Sequence, residues 1–491
     1  MSDHAPAPRF EHKDILAILA GLMLAMLLGA LDQTIVATAM PSIGHDLGDV
    51  TQLPWVVTAY LLAAVAVTPL YGKLSDIFGR RGIMLLAIST FVIGSVACAL
   101  SPSVPFLALA RGLQGAGGGG LISLAQTIIA DIVAPRERGR YQVYIASVFA
   151  ASSLAGPVLG GFLSEHIHWS AIFWINLPLG AAAYVMTSSR LKTLPQAARR
   201  HSLDFLGAFL LICASSALLL ALSWGGVRYA WASSVILGLF AAAIMFGLAF
   251  AWRTRTALEP LIPASVLGDQ VVKTATIAAG LSMGTFVGLS IVMPVYLEGV
   301  IGLSASMSGV ALIPLMMGTV IGATIAGRSL VRLDNYKIMP LAGMGVALLA
   351  CAILAWRPRG LPFAALEALL LVITIGLGTV LPTATVTIQN AVPRTELGAA
   401  TATSNFFRQI GSGLVAAIFG AMIFGGSDAL REGFASNGLK LDAAGVAELV
   451  ASFRQVFLAS CALVAVAMVF FSFMQMRPLR SDRDPPETGA T

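Results

Sequence analysis

The sequence predicts an all-α polytopic membrane protein: two six-helix bundles plus two extra transmembrane helices, about 14 spans in all. Three observations predict it. Of 491 residues 57% are hydrophobic and 11% charged, and apolar runs recur from end to end at the roughly twenty residues an α-helix needs to cross hydrocarbon. Lys and Arg gather in alternate links between these runs. Two pairs of short basic links repeat in the same order, which divides the chain into halves.

Residues 1–14, with His4, Arg9, Glu11, His12, Lys13 and Asp14, read as a cytoplasmic tail. The run from Ile15 to Ala39 is too long for a cleaved signal peptide and lacks its small-residue exit, so it reads as the first permanent span. Polar breaks place further spans at 54–71, 83–101, 105–130, 141–163 and 169–189, completing an N-terminal six-helix bundle over 15–190. A cytoplasmic linker at 191–203 leads to the two extra helices, 204–224 and 231–252, in a unit over 204–252. After a second linker, 253–272, the C-terminal bundle over 273–476 has spans at 273–297, 307–328, 338–356, 361–388, 399–424 and 453–476, with an outer loop at 425–452. An even number of spans returns the chain to its starting side, making 477–491 a second cytoplasmic tail.

Orientation follows from the basic residues, which accumulate on the cytoplasmic side. With the N-terminus inside, 22 of the 30 fall in inner segments, Lys73, Arg136, Arg253, Lys337 and Arg394 among them. The opposite loops hold 5: Arg228, Arg357, Arg359, Arg431 and Lys440. A single missed span would scramble this asymmetry. The net charge of +6 therefore requires no nucleic-acid partner, because the bases lie beside anionic headgroups. Cys98, Cys213, Cys351 and Cys461 fall in apolar runs without paired spacing, which predicts neither disulfide nor metal site. His166 and His168 flank an outer turn and are not expected to bind metal.

The duplication rests on landmarks. Gly72-Lys73-Leu74-Ser75-Asp76-Ile77-Phe78-Gly79-Arg80-Arg81 has a degraded echo in Gly327 to Lys337, and Ala134-Pro135-Arg136-Glu137-Arg138-Gly139 has one in Val392 to Gly398. Gly72 precedes Pro135 by 63 residues and Gly327 precedes Pro393 by 66. Duplicated halves commonly hold a substrate site near the midplane at their interface and rock around it.

Four motifs stand in order: Leu31-Asp32-Gln33-Thr34-Ile35-Val36 with Ala39-Met40-Pro41, the Gly72–Arg81 hairpin, Arg111-Gly112-Leu113-Gln114-Gly115, and Gly156-Pro157-Val158-Leu159-Gly160-Gly161. They resemble the major facilitator superfamily, and within it the fourteen-span drug/proton antiporter family, over nearly the whole chain. The resemblance implies a major-facilitator-like fold and multidrug efflux driven by the proton motive force, with the antibiotic resistance that follows. It also implies a proton-relay role for Arg111 and antiport from the 156–161 motif.

The residues make chemical sense on their own. Gly72 and Gly79 allow the backbone angles of a tight reversal, while Asp76 can accept from helix-end N–H groups or pair with Arg80 or Arg81. That favours a latch between helices over a plain topogenic loop. Asp32 lies inside an apolar run, where a charge costs at least ~2.5 kcal/mol; it must be protonated, paired or wet. A carboxyl meeting water from alternate sides loads and releases a proton, whereas one held by Thr34 or Thr38 is structural. Arg111, with Gln114 one turn on, keeps its proton and needs an acceptor.

Asp32 and Arg111 are thus the expected coupling residues, and Asp32, Gln33, Gln114 and Glu367 the expected cavity wall. Gly156 and Gly160 form a small face, and Pro157, beside Gly161, removes a helix hydrogen bond; this reads as a bendable gate between the halves. The glycines from Gly115 to Gly120 read as helix packing. Arg408, about a turn and a half into its span, either snorkels or serves coupling. Phe173, Trp174 and Asn176 are expected at the headgroups.

The reading is a multi-pass transporter of the bacterial inner membrane, both termini cytoplasmic, expelling amphipathic drugs or antiseptics, cations foremost, in exchange for protons. The expected partners are protons, the solute and the bilayer, with a periplasmic adaptor left open and no cofactor. No Gly-rich loop ending in Lys-Ser/Thr offers an ATP site. One charge crossing roughly 150 mV yields about 3.5 kcal/mol, enough for a gradient on the order of a few hundredfold. The nearest alternative is the same fold moving a lipid, siderophore or metabolite. An enzyme would need a nucleophile with a base, or a metal cluster; a receptor or scaffold would show no flux.

Overall fold

The computed structural model describes residues 12–48, 52–193, 203–226, 228–424 and 443–479. Most of the predicted outer loop 425–452, with Arg431 and Lys440, lies outside the described residues, as do parts of the first linker and of both predicted tails. The N-terminal helices are α1 (His12–Leu47), α2 (Pro54–Phe78), α3 (Arg80–Ala99), α4 (Val104–Ile132), α5 (Pro135–His166), α6 (Ala171–Trp174) and α7 (Asn176–Arg190). Then come α8 (Phe205–Trp224), α9 (Ser234–Thr256) and the short α10 (Ala264–Gly268). The second half holds α11 (Gln270–Gly299), α12 (Ala305–Ala311), α13 (Ile313–Arg332), α14 (Ile338–Trp356), α15 (Phe363–Gly378), α16 (Val380–Ala391), α17 (Leu397–Phe424) and α18 (Ala443–Phe473).

Among the described residues thirteen segments are long and apolar enough to cross a membrane, with α6–α7, the greater part of α12 with α13, and α15–α16 each counting as one. α4 is as long as most of them, but Arg111, Gln114, Gln126 and its glycines lower its hydropathy. It packs against α1, α2 and α3 and brings the number to the expected fourteen. Its glycines do the packing: a methyl group at Gly115 or Gly119 would overlap the α2 backbone, and one at Gly117 the α3 backbone.

Helix starts follow local chemistry. Pro135 opens α5, where its missing N–H costs nothing, and Asp269 caps α11 by accepting from Val271 N at 2.8 Å and Val272 N at 3.2 Å. The Gly72–Arg81 segment is not a loop. α2 runs on through Phe78 and only Gly79, at φ 89°, turns the chain before α3. Positive φ requires glycine there, whereas Gly72 is helical and serves a different end, given below.

α1–α7 enclose their own apolar clusters and α11–α18 another. The halves meet through α2 against α17 and α5 against α13. α8 and α9 form an antiparallel hairpin, fastened where Arg253 Nε donates to Asp204 at 3.0 Å. It leans on α2 and α17 through an apolar cluster including Val65, Ala208, Leu211, Phe250 and Phe406.

Candidate functional site

The basic links converge at one end of the bundle, and there the halves are fastened. Asp76, at the end of α2, accepts from the backbone N–H of Gly398 at 3.1 Å and of Ala399 at 2.9 Å, the first turn of α17. A helix N-terminus carries free N–H groups and partial positive charge, so a carboxylate suits it. Asp76 also pairs with Arg80, whose Nε reaches Asp131 at 2.6 Å. Gly72 lets α17 come close, since a methyl group there would press on Gly398 and Ala402. Arg81 stands apart, donating to the Ser188 carbonyl at 3.1 Å within the N-terminal half.

The echo of this link works differently. Asp334 meets Arg136 at 3.1 Å in an exposed pair, while the backbones of Gly139 and Gly327 touch so closely that a methyl group on either would strike the other's carbonyl. Deeper in, Asn405 Nδ2 donates to Gln126 Oε1 at 2.9 Å, and Gln389 Nε2 to the Gln126 carbonyl at 3.3 Å. These bonds cross between the halves and close the basic end.

Above that floor lies a cavity of about 660 Å³, bounded by α2, α4, α11 and α17 and extending to the α8–α9 turn at Gly225, Gly226 and Trp231. Its wall is mostly apolar, with Leu61, Val65, Ile122, Phe149, Met283 and Val287. Gln33, halfway along α1, is exposed on it. Size and lining fit a drug-sized organic molecule. The extra helices, to which the sequence assigned no role, supply part of this wall.

Of the four residues expected on the wall, only Gln33 is there. Asp32 is fully buried in the N-terminal half. Arg111 Nη1 donates to its Oδ2 at 2.6 Å; Gln114 Nε2 donates to Oδ1 at 2.8 Å, and Asn176 Nδ2 reaches Oδ1 at 3.5 Å. Arg111 Nε donates to the Val56 carbonyl at 3.1 Å, and the guanidinium lies 4.2 Å from the centre of the Tyr60 ring. Neither Thr34 nor Thr38 holds the carboxylate; Thr34 donates to the Leu31 and Ser152 carbonyls instead. Glu367, on α15, is off the cavity wall, and both its carboxylate oxygens lack a hydrogen-bond partner among the described residues.

Further placements differ from the sequence reading. Asn176 and the buried Phe173 turn inward to the Asp32 and Arg111 cluster rather than to headgroups. Ser95, which sequence reasoning did not single out, accepts from Gln114 at 2.8 Å and completes the cluster. The small face of Gly156 and Gly160 packs on α1, at Thr34, Ile35 and Thr38, inside one half and not between the two; Gly161 meets nothing close. Pro157 lies within a continuous α5. Arg408 is about three turns into α17, deeper than the sequence reading put it, and it lines the cavity.

Comparison with known proteins agrees with this architecture. The family profile of the Major Facilitator Superfamily matches residues 22–207 and 198–416. The multidrug transporter protein MdtP of Bacillus subtilis is 34% identical over 409 residues, 83% of this chain and 75% of the relative. An uncharacterized MFS-type transporter of Mycobacterium tuberculosis is 34% identical over 406 residues, and the match spans 82% of this chain but only 59% of the relative's length. A crystal structure of a bacterial homologue of the iron transporter ferroportin superposes with a TM-score of 0.63 at 14% identity, covering 93% of this chain and 98% of the other. At that identity the likeness is one of fold.

Proposed function

The chain belongs to the major facilitator superfamily, and from that premise we propose that it exports amphipathic small molecules across the bacterial inner membrane in exchange for protons. The single observation that carries this reading is the central cavity between the halves, shut at the basic end by Asp76 on α17 and by the Gly139–Gly327 contact. With the basic links cytoplasmic, this is the conformer that faces outward. Export then alternates it with one in which those contacts part and the opposite mouth narrows. The relative named a multidrug transporter protein supports a solute of this kind. A preference for cations loses the basis the sequence offered, because among the described residues the wall carries no carboxylate.

Asp32 and Arg111 form the coupling element of this proposal. Paired, they neutralise each other inside the half. A proton taken up by Asp32 would leave Arg111 a buried charge with only neutral acceptors, at a cost on the order of 3 kcal/mol or more. Moving α1 against α4 relieves that cost. α1 packs along α5 through the Gly156 and Gly160 face, and α5 carries the contact with α13, so a shift of α1 reaches the gate.

The test uses everted membrane vesicles with an acid lumen and a panel of fluorescent cationic, neutral and anionic amphiphiles. The expected result is gradient-dependent uptake of at least one probe, lost when a protonophore collapses the gradient and lost in Asp32→Asn at equal membrane abundance. Uptake indifferent to the gradient, or retained in Asp32→Asn, removes proton coupling through this residue.

A further inference from the structure

We propose that the cavity takes an amphipathic monoanion, with Arg408 as its counter-charge; this rests on the export reading and adds the charge class of the solute. Arg111 and Arg408 both lie within the spans, and they are treated in opposite ways. Arg111 is fully buried, ion-paired and hydrogen-bonded. Arg408 lines the cavity and has neither an ion pair nor a side-chain hydrogen bond among the described residues.

A guanidinium keeps its proton even here, and an unmatched charge within the bilayer is expensive unless it meets water or an anion. Among the described residues lining the cavity Arg408 is the one ionisable group; the polar remainder is amide and hydroxyl, with Gln33, Gln409 and Ser412 among it. The wall therefore carries one positive charge and no negative one. A cationic solute would enter a space with like charge and no carboxylate, since both oxygens of Asp32 are already taken by Arg111, Gln114 and Asn176.

The planar fork of Arg408 suits a carboxylate or sulfonate, which it can hold through two parallel hydrogen bonds. One fork with no second base on the wall matches one negative charge. The apolar wall contributed by α2, α4 and α11 takes the rest of the molecule.

Three pyrene probes share a skeleton and differ in charge: pyrenebutyrate, its neutral amide, and the corresponding primary amine. Their dissociation constants are measured on the purified full-length protein in nanodiscs. The wild type is expected to bind the butyrate at least about tenfold more tightly than the amide, which is one logarithmic unit of affinity, and the amine most weakly. In Arg408→Gln the butyrate-to-amide ratio should fall below about threefold, with Arg408→Lys between. Amine-first binding, equal binding of all three, absence of binding, or an unchanged ratio in Arg408→Gln would overturn the assignment. Should the variant not remain monodisperse, the wild-type ranking alone decides. Failure here is distinguishable from failure of the export reading: proton-driven uptake of a cation with amine-first binding would spare the latter, whereas butyrate-first binding without gradient-driven uptake would spare only the former.

Discussion

The two links that fasten the halves at the basic end, one after α2 and one after α13, are built unequally. In the first, the Asp76 side chain is 7% exposed and grips the N-terminus of α17; in the second, Asp334 is 94% exposed and its pair with Arg136 stands in solvent. The second junction closes instead through bare backbone, Gly139 against Gly327. The closed basic end is thus held by charge on one side and by shape on the other. On the proposed transport cycle the difference assigns different costs to opening the two sides.

Substitutions break or sharpen this contrast, and those at the two links can be read as the ratio of closed to open conformers at the basic end. Asp76→Ala removes the acceptor of two backbone N–H groups and leaves Arg80 with Asp131 and Ser75 alone; a hydrogen bond to a charged group contributes about 1.5–3 kcal/mol, so closure should weaken by tenfold or more. Gly139→Val forces apart two backbones in contact and should cost about 1–3 kcal/mol, the usual range for overpacking, without changing the salt dependence of closure. Pro157→Ala restores an N–H to α5 and should slow efflux no more than about fivefold, about 1 kcal/mol, at unchanged membrane abundance. Asp334→Ala should matter least, about 0–1 kcal/mol, and raising ionic strength should erase even that. If Asp334→Ala and Asp76→Ala proved equal, the asymmetry drawn here would be wrong.

The sequence carried much of this, for physical reasons that also mark where it stopped. Long apolar runs and alternating basic links are properties of one chain read in order, so the spans and the all-α membrane fold were legible. Asp32 and Arg111 stood out because charge in an apolar run is costly wherever it points. Azimuth was not legible: the helices are apolar nearly all round, so depth could be read but not the side a residue faces. Asp32, Gln114 and Glu367 therefore lie off the wall they were expected to line, while Arg408 lies on it. Asn176 sits in an aromatic segment at a span start, which reads as a headgroup anchor, and only the fold turns it toward Asp32. Gly72 looked like a turn residue because the charged segment around it resembled a loop; its partner α17 is far along the chain.

Alternating access around the cavity is the central claim, and it can be measured without knowing the solute. Spin labels at Arg140 and Thr395 report the basic end, and labels at His166 and Arg359 the opposite mouth, in full-length protein with the four native cysteines replaced by serine. The account predicts that Asp76→Ala lengthens the first distance and shortens the second together. Lengthening at the basic end with the mouth unchanged, or one fixed distance at each end in both proteins, would contradict it.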